Sequence, residues 1–401
     1  MRSFGSGTRV PTLAAVLDIV RERAPVSRVE LAEATGLTQA TMTHAVRKLT
    51  ALGFVREVGT VRSARGTPRR LLGLVPDACC MVGFQFDRYH SVGVVVDLAG
   101  RVLVERELAG AGDRAPEEVI AELAEAVDGM LKEAGLAREK VLGIGVATYG
   151  PQDREAGVLQ VVQPTAAWLD YPLAEKLSEA TGLSVALEND ATAAGIGLQV
   201  RGDAASNFAV VFMSGGIGAG VIIDGYPYRG ATSNGVELGH ISVDALGPRC
   251  NCGNRGCLDT VAGPIGITEL VRKSPALTSR FAIGSDVLDN FMRVGRAALE
   301  GDPDAKELIG ISTQRLSIAT LTLVNLFDVS RVVLVGAAFA EVGDMYRDAL
   351  QEFLDEAVFM RHVHSVQVQV AENPAGAPAV GAAMVVLRNL LESPSETPPA
   401  A

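Results

Sequence analysis

The sequence predicts an α/β protein headed by a winged helix-turn-helix. Three observations carry that prediction. Residues 1–75 hold 12 Lys and Arg against 5 Asp and Glu, whereas the remainder holds 24 against 42, so a basic head precedes an acidic body. Within the head, two helical stretches flank a glycine and two strand-like runs follow, which is the order of a helix-turn-helix with a wing. From Met81 onward, apolar strand patterns alternate with helical ones, as in layered α/β domains.

In the head, Leu13, Val16, Leu17 and Val20 recur at helical spacing and place a first helix over Leu13–Arg23. Ser27 with Glu30 forms a capping box for a second helix, Arg28–Thr35, which Gly36 ends. Thr38 caps a third, Gln39–Leu52, with Met42, Ala45, Val46 and Leu49 inward, and Gly53 closes it. Its outer face offers Thr38, Gln39, Thr41, Thr43, His44 and Arg47 as DNA-contacting residues, since the N-terminal part of such a helix enters the major groove. Strands over Phe54–Val58 and Arg69–Leu74 flank a loop with Arg62, Arg65 and Gly66, a wing whose arginines suit phosphates or a minor groove. A three-helix packing module with a solvated basic surface is the alternative; the wing and the charge split count against it.

At 401 residues the chain is long enough for two or three domains. Hydrophobic content of 48% and charged content of 21% are those of a soluble globular protein. No apolar run approaches the ~18 residues of a membrane helix, so a cytoplasmic protein without a membrane partner is expected. The body opens with strands at Met81–Phe86, Ser91–Asp97 and Arg101–Leu108, turning at Ala99-Gly100. A helix over Pro116–Glu133 and a strand over Val141–Ala147 follow; Leu187–Gly195 ends a strand and opens a helix. The strand Phe208–Met213 leads into a loop with Gly215, Gly216, Gly218 and Gly220. The last αβ units contain Val332–Ala340, a final helix runs from Ala379 to Leu391, and residues 394–401 read as a disordered tail.

The chemistry concentrates between Val236 and Thr260. Cys250, Cys252 and Cys257 are interleaved with Asn, Gly and Arg, and His240 precedes them. Three thiols and an imidazole complete a tetrahedral Zn2+ set with no position open to water, so the ion would be structural and would fix one ring nitrogen of His240. Unrelated core thiols are the alternative, against which the polar neighbours speak. A disulfide is weaker still, because the other cysteines are the adjacent Cys79 and Cys80.

The run Glu237-Leu238-Gly239-His240, followed by Cys-x-Cys-Gly-x-x-Gly-Cys at Cys250–Cys257, resembles the paired signature of the ROK proteins, a family of repressors, open reading frames and kinases. From Ser27 to Glu57 the head is similar to the winged-helix end of the family's repressors, which its sugar kinases lack. The resemblance implies two actin-like lobes of the ribonuclease H-like sugar-kinase fold: a head at 1–77, a first lobe at 78–192 and 375–393, and a second lobe with the zinc at 193–374. It also implies sugar contacts at Asn189, Asp190, Glu237 and His240, with Asp190 standing where the kinases hold the base that deprotonates the attacking hydroxyl. Locally, Asp190 reads equally well as a helix cap. Gly150, in Tyr149-Gly150-Pro151 where the family has Pro-Gly-Pro, belongs to the expected sugar set. So do Thr165, near Trp168, and Asp259, which stand where the family often has Asn and Glu.

A further departure bears on catalysis. The kinases' Asp-x-Gly-Gly-Thr corresponds here to Gln85-Phe86-Asp87-Arg88-Tyr89. Both glycines that let backbone amides approach phosphates are gone, Arg and Tyr side chains stand in that path, and Gln85 replaces the metal-organising carboxylate. The loop at Gly215–Gly220 matches the second phosphate motif, or is a glycine hairpin kept for its backbone geometry. Ala337 and Ala338 replace two glycines of the adenosine motif. The expectation is a sugar-responsive transcriptional repressor with no catalytic residue, binding double-stranded operator DNA as a homodimer or homotetramer and a monosaccharide or derivative as effector. A sugar kinase with an appended DNA-binding head competes with it, and a regulator answering to a partner protein is a third reading.

Overall fold

In the computed structural model, which describes residues 12–61, 68–202 and 206–392, the head forms as its caps dictate. Helices α1 (Thr12–Arg23), α2 (Arg28–Thr35) and α3 (Gln39–Ala51) pack through Leu13, Leu17, Val20, Met42, Val46 and Leu49. The Ser27 hydroxyl accepts from Glu30 N at 3.4 Å while Glu30 accepts from Ser27 N at 2.7 Å, a reciprocal cap. Gly36, at φ 70°, turns the chain out of α2. The wing has three strands, β1 (Val26–Ser27), β2 (Val55–Val61) and β3 (Arg69–Leu74), in the order β1-β3-β2. β1 is too short for periodicity to mark it. β2 runs on to Val61 instead of stopping at Val58, because a bulge between Glu57 and Gly59 carries the pairing through solvent-exposed residues. The loop residues Arg62, Arg65 and Gly66, and the tail 394–401, lie outside the described residues.

Two sheets of the same topology make the body. The first contains β4 (Cys80–Phe86), β5 (His90–Asp97), β6 (Val102–Ala109), β7 (Val141–Thr148) and, after the small hairpin β8 (Gln152–Asp153) and β9 (Val158–Leu159), β10 (Val185–Asn189). Its order is β10-β7-β4-β5-β6, and α4 (Pro116–Ala134) and α5 (Leu173–Thr181) cover one face. Then α6 (Asp190–Arg201) crosses to the second sheet of β11 (Phe208–Met213), β12 (Ile217–Ile223), β13 (Tyr226–Pro227), β14 (Arg331–Val335) and β15 (Gln367–Val370), ordered β13-β12-β11-β14-β15. In each sheet an antiparallel meander of three strands is extended from its first strand by two parallel ones. That repeated order is the two-lobed fold the resemblance implies. The second lobe is completed by α7 (Leu258–Val261), α8 (Pro264–Arg272), α9 (Pro275–Arg280), α10 (Val287–Leu299), α11 (Pro303–Phe327) and α12 (Phe339–Ala357).

The last helix, α13 (Ala377–Glu392), returns to the first sheet and packs along α6. It starts two residues before Ala379, with Pro378 tolerated in its first turn. The two helices touch backbone to backbone: a Cβ on Gly381 would lie 1.6 Å from the Ala193 carbonyl oxygen, and one on Gly145 of β7 would lie 1.8 Å from that of Ala382. The lobe boundary expected at 192/193 falls inside α6, a continuous helix.

The head is not a separate bead. Leu17 and Val20 of α1 belong to one apolar core with Leu387 and Leu391 of α13 and Met81 of β4. The Arg21 guanidinium donates to the Leu98 carbonyl at 3.4 Å. On the other side, Arg388 of α13 lies 5.4 Å from the Tyr226 ring centroid and donates to Gly225 O, while Asp18 and Glu22 of α1 act on Tyr226 electrostatically. A cavity of about 890 Å³ lies at this junction, lined among others by Arg21, Glu22, Arg101, Arg201 and Glu372. Among the described residues no helix is long and apolar enough to cross a membrane.

The close approach at Gly381 predicts a contrast. Gly381→Ala is expected to destabilise by ~1–3 kcal/mol through overpacking against immovable backbone. Gly310→Ala, exposed in α11 with open space where its Cβ would stand, is expected to stabilise by ~0.5–1 kcal/mol. Urea-unfolding midpoints of the two variants check both signs.

Candidate functional site

The loops following β4, β7 and β10 meet the hairpin between β11 and β12. Asp190 opens α6 and is buried, with its Oδ1 accepting from Ala191 N at 2.7 Å. Burial pushes its carboxyl up to about 7, and the nearby Asp87 and Glu237 add to the effect. Asn189 is the side-chain cap of α6, accepting from Thr192 N at 3.1 Å, so the cap is the neighbouring residue and not Asp190. Gly150 lets three side chains converge: a Cβ there would stand 3.3 Å from Asn234 Oδ1, 3.5 Å from Glu237 Oε1 and 3.8 Å from Asn189 Nδ2. Asn189, Asp190, Gly150 and Glu237 are thereby brought together. His240 adjoins them, its charge acting on Glu237 and Asp259. Burial raises the Glu237 carboxyl and pushes that of Asp259 up to about 6. Asp259 accepts from Ile217 N at 2.6 Å and lies against Gly216, so one of its oxygens is committed to the glycine hairpin. Thr165 precedes the 3-10 turn Ala166–Trp168, and among the described residues no side-chain hydrogen bond joins it to the group.

The predicted metal set is assembled. The ligating atoms of His240, Cys250, Cys252 and Cys257 all lie within 4.8 Å of one another. Cys250 Sγ is 3.6 Å from His240 Nδ1, and Cys252 Sγ is 3.6 Å from Cys257 Sγ. A tetrahedral zinc with bonds of about 2.3 Å to sulfur would set its ligand sulfurs about 3.8 Å apart, so the residues fit the ion. The loop closes on Gly256, at φ 57°, where a Cβ would sit 1.7 Å from the Asp244 carbonyl oxygen. Burial pushes the Cys257 thiol up to about 12, so a bound cation is what would hold it as thiolate. With Nδ1 of His240 turned to the thiols, its Nε2 is the nitrogen free to face the cleft.

Between the two loops that correspond to phosphate motifs, side chains meet directly. Asp87 is buried and accepts four hydrogen bonds: from Tyr89 N at 2.6 Å, His90 N at 2.7 Å, Gln85 Nε2 at 3.2 Å and, from the opposite lobe, Ser214 Oγ at 2.7 Å. The Tyr89 ring lies on Gly215, whose Cβ, if present, would be 2.3 Å from Tyr89 Cε2. Arg88 departs from expectation. It turns away from this gap, donating to Pro164 O and pairing with Asp113, so Asp87 and Tyr89 fill the path that Arg88 and Tyr89 were expected to block.

Two further ties across the lobes carried no sequence signal. Glu188, fully buried beside Asn189, pairs with Arg154 at 3.2 Å and with Arg229 of the second lobe at 2.5 Å. Asn234 accepts from Gln152 N at 2.9 Å and donates to Gln152 O at 3.0 Å, binding the Gly150 loop as a strand partner would. On the head, Thr38, Gln39, Thr43, His44 and Arg47 are exposed on one face of α3 and Thr41 is half-buried. Arg47 reaches His44 Nδ1 at 3.0 Å, whereas Arg28 and Arg70 of the same head are paired with Glu57.

Comparison with known proteins follows this geometry. The model of the ROK family matches residues 83–389, and one described as winged helix-turn-helix DNA-binding matches residues 11–56. The chain is 26% identical over 386 residues to a putative xylose repressor of Caldicellulosiruptor sp. (strain Rt8B.4), covering 94% of this chain and 96% of the relative. It is 28% identical over 307 residues to a glucokinase of Thermotoga maritima, covering 74% of this chain and 93% of the relative. A crystal structure of a ROK family transcriptional regulator, a homologue of the E. coli MLC protein, superposes with a TM-score of 0.73 at 22% identity, covering 95% of this chain and 98% of that one.

Two outcomes are expected. Elemental analysis should find ~1 zinc per chain, with Cys250→Ser or Cys257→Ser lowering that content and a chelator lowering the melting temperature. For Asp190, the folded value of about 7 exceeds the ordinary 3.8, so its contribution to stability is full at low pH and is lost as pH rises through about 7. Asp190→Asn should therefore stabilise the protein progressively more between about pH 5 and about pH 8, read from melting curves across that range.

Proposed function

Because the chain belongs to the ROK family and carries a winged helix-turn-helix, we propose that it is a sugar-responsive transcriptional repressor without kinase activity. The winged helix, residues 1–77, binds operator DNA with α3 in the major groove. Thr38, Gln39, Thr41, Thr43, His44 and Arg47 face the bases and the adjoining phosphates, and the wing arginines Arg62 and Arg65 face the backbone or minor groove. A monosaccharide or derivative enters the cleft between the two lobes, which α6 joins as one continuous helix. Asn189, Asp190, Glu237, His240 and Gly150 surround it, with Asp259 and Thr165 at the margins. Structural zinc on His240, Cys250, Cys252 and Cys257 fixes the imidazole. The protein acts in the cytoplasm as a homodimer or homotetramer, so that two heads read two half-sites. The named relatives support this reading through the xylose repressor's name.

One observation carries the absence of phosphoryl transfer: Asp87 bonded to Ser214, and Tyr89 seated on Gly215, occupy the gap between the two loops that would have to cradle phosphates. Asp190 is then left as a hydrogen-bonding group, with no attack of a sugar hydroxyl on phosphate for it to assist as a base. The sugar can shift DNA affinity only through its differential affinity for two arrangements of the lobes and heads. The shared core of α1 and α13 and the α6–α13 packing give those arrangements a route from cleft to head.

Two measurements test the proposal together. A coupled assay with Mg-ATP and a panel of sugars should give no turnover; a rate on the order of 1 s⁻¹, ordinary for an enzyme, would restore the kinase reading. In DNA-binding titrations, one sugar of the panel should weaken binding, and Arg47→Ala should lower the salt slope by roughly 1. Affinity untouched by every sugar, with a partner protein shifting it instead, would move the effector role to that partner.

A further inference from the structure

The proposed function needs two heads but names no surface that pairs them, and the inference here rests on that homo-oligomeric reading. Leu326, Phe359 and Val363 are large apolar side chains that are 73%, 79% and 73% exposed. They lie together on the second lobe. Phe359 N donates to Asn325 Oδ1 at 3.2 Å and His364 pairs with Asp328 at 3.0 Å, so the loop after α12 is laid along the last turn of α11. Ile318, also exposed, stands seven residues before Asn325 and therefore on the same outward face of α11. Beside these residues Val324, Val358 and Met360 line a groove of about 260 Å³.

The segments that build this face are poor in negative charge. No Asp or Glu lies between Glu307 and Asp328, or between Glu356 and Glu372, and Asp328 itself is engaged by His364. Residues 76–401 as a whole hold 24 Lys and Arg against 42 Asp and Glu. Two copies of so acidic a body repel one another over most of their surface and approach most easily where the carboxylates are missing. A basic partner would be drawn to the acidic faces instead. Apolar residues scattered singly need no explanation, but these gather around one groove. The face also holds both halves of a contact, since Phe359 and Leu326 protrude beside a recess floored by the buried Val324 and Val358. A two-fold axis sets each residue of a patch against another residue of the same patch, so protrusion and recess on one surface are what it requires.

We propose that a second copy of this chain docks on this face, formed by the C-terminal half of α11 and the loop 358–364, across a two-fold axis. The exposed apolar side chains of each copy fill the groove of the other.

Sedimentation of the full-length protein over a range of concentrations tests the assignment. The wild-type chain should form a dimer or tetramer. Leu326→Glu, Phe359→Glu and Val363→Glu should each reduce it to at most half that size, raising the dissociation constant by roughly 100-fold or more, because a two-fold axis makes every substitution act twice. The three substitutions are independent, and far-UV circular dichroism identifies those that keep the wild-type fold. Leu103→Glu, at a partly exposed position on β6 of the first lobe, should leave the assembly intact. The melting temperature should rise with protein concentration for the wild type and not for the dissociated variants. An oligomer that survives all three substitutions overturns the face and leaves the oligomeric reading intact. An oligomer lost equally in Leu103→Glu also overturns the assignment to this face. A wild-type chain that stays monomeric at every concentration overturns both the face and the homo-oligomer beneath it.

Discussion

The close crossing of α6 and α13 is the constraint on which the rest of the structure depends. Each helix follows a sheet of one lobe and packs toward the other, and they can do so only because Gly381 offers no Cβ to the Ala193 carbonyl. Small residues on both helices bring backbone against backbone, so neither helix can tilt without the other. The N-terminus of α6 carries Asn189 and Asp190, and its far end lies at the junction with the head. α13 shares its apolar core with α1. The proposed ligand site and the winged-helix head are therefore attached to opposite ends of one closely packed pair.

Around that pair the lobes are held by polar ties of unequal character. Glu188 is buried between an arginine of each lobe, and separating the lobes would leave it with Arg154 alone to compensate its charge. Asn234 binds the Gly150 loop with a two-point backbone pairing that neutral groups can break and remake at lower cost. Asp87 and Ser214 add a third tie at the phosphate gap.

Much of this was legible in the sequence, for reasons that can be named. Caps, apolar periodicity and glycine stops marked the head because they act within a few residues of one another: Ser27 with Glu30, Thr38 with Thr41, Gly36 after Thr35. The metal set was legible because its four side chains lie close along the chain and have few alternative uses. What escaped were contacts made at long range. Asp87 and Ser214 are 127 residues apart, and Asn234 and Gln152 are 82 apart, and nothing local distinguishes such residues from ordinary loop polars. Arg88 went astray for a related reason: sequence gives a side chain's position but not its direction, and Asp113 with Pro164 O drew it away from the gap. The strand β2 overran its expected end because its outer residues face solvent on both sides, so no alternation recorded it.

The seating of Tyr89 on Gly215 has a consequence for what such a switch can count. In a kinase cleft, apposition of the lobes depends on two molecules arriving, and the closed population follows the product of their concentrations. Here an aromatic ring of the chain itself stands in for one of them at a local concentration that dilution cannot change. Under the proposed reading, the response is tuned to a nutrient alone and is deaf to the energy state of the cell.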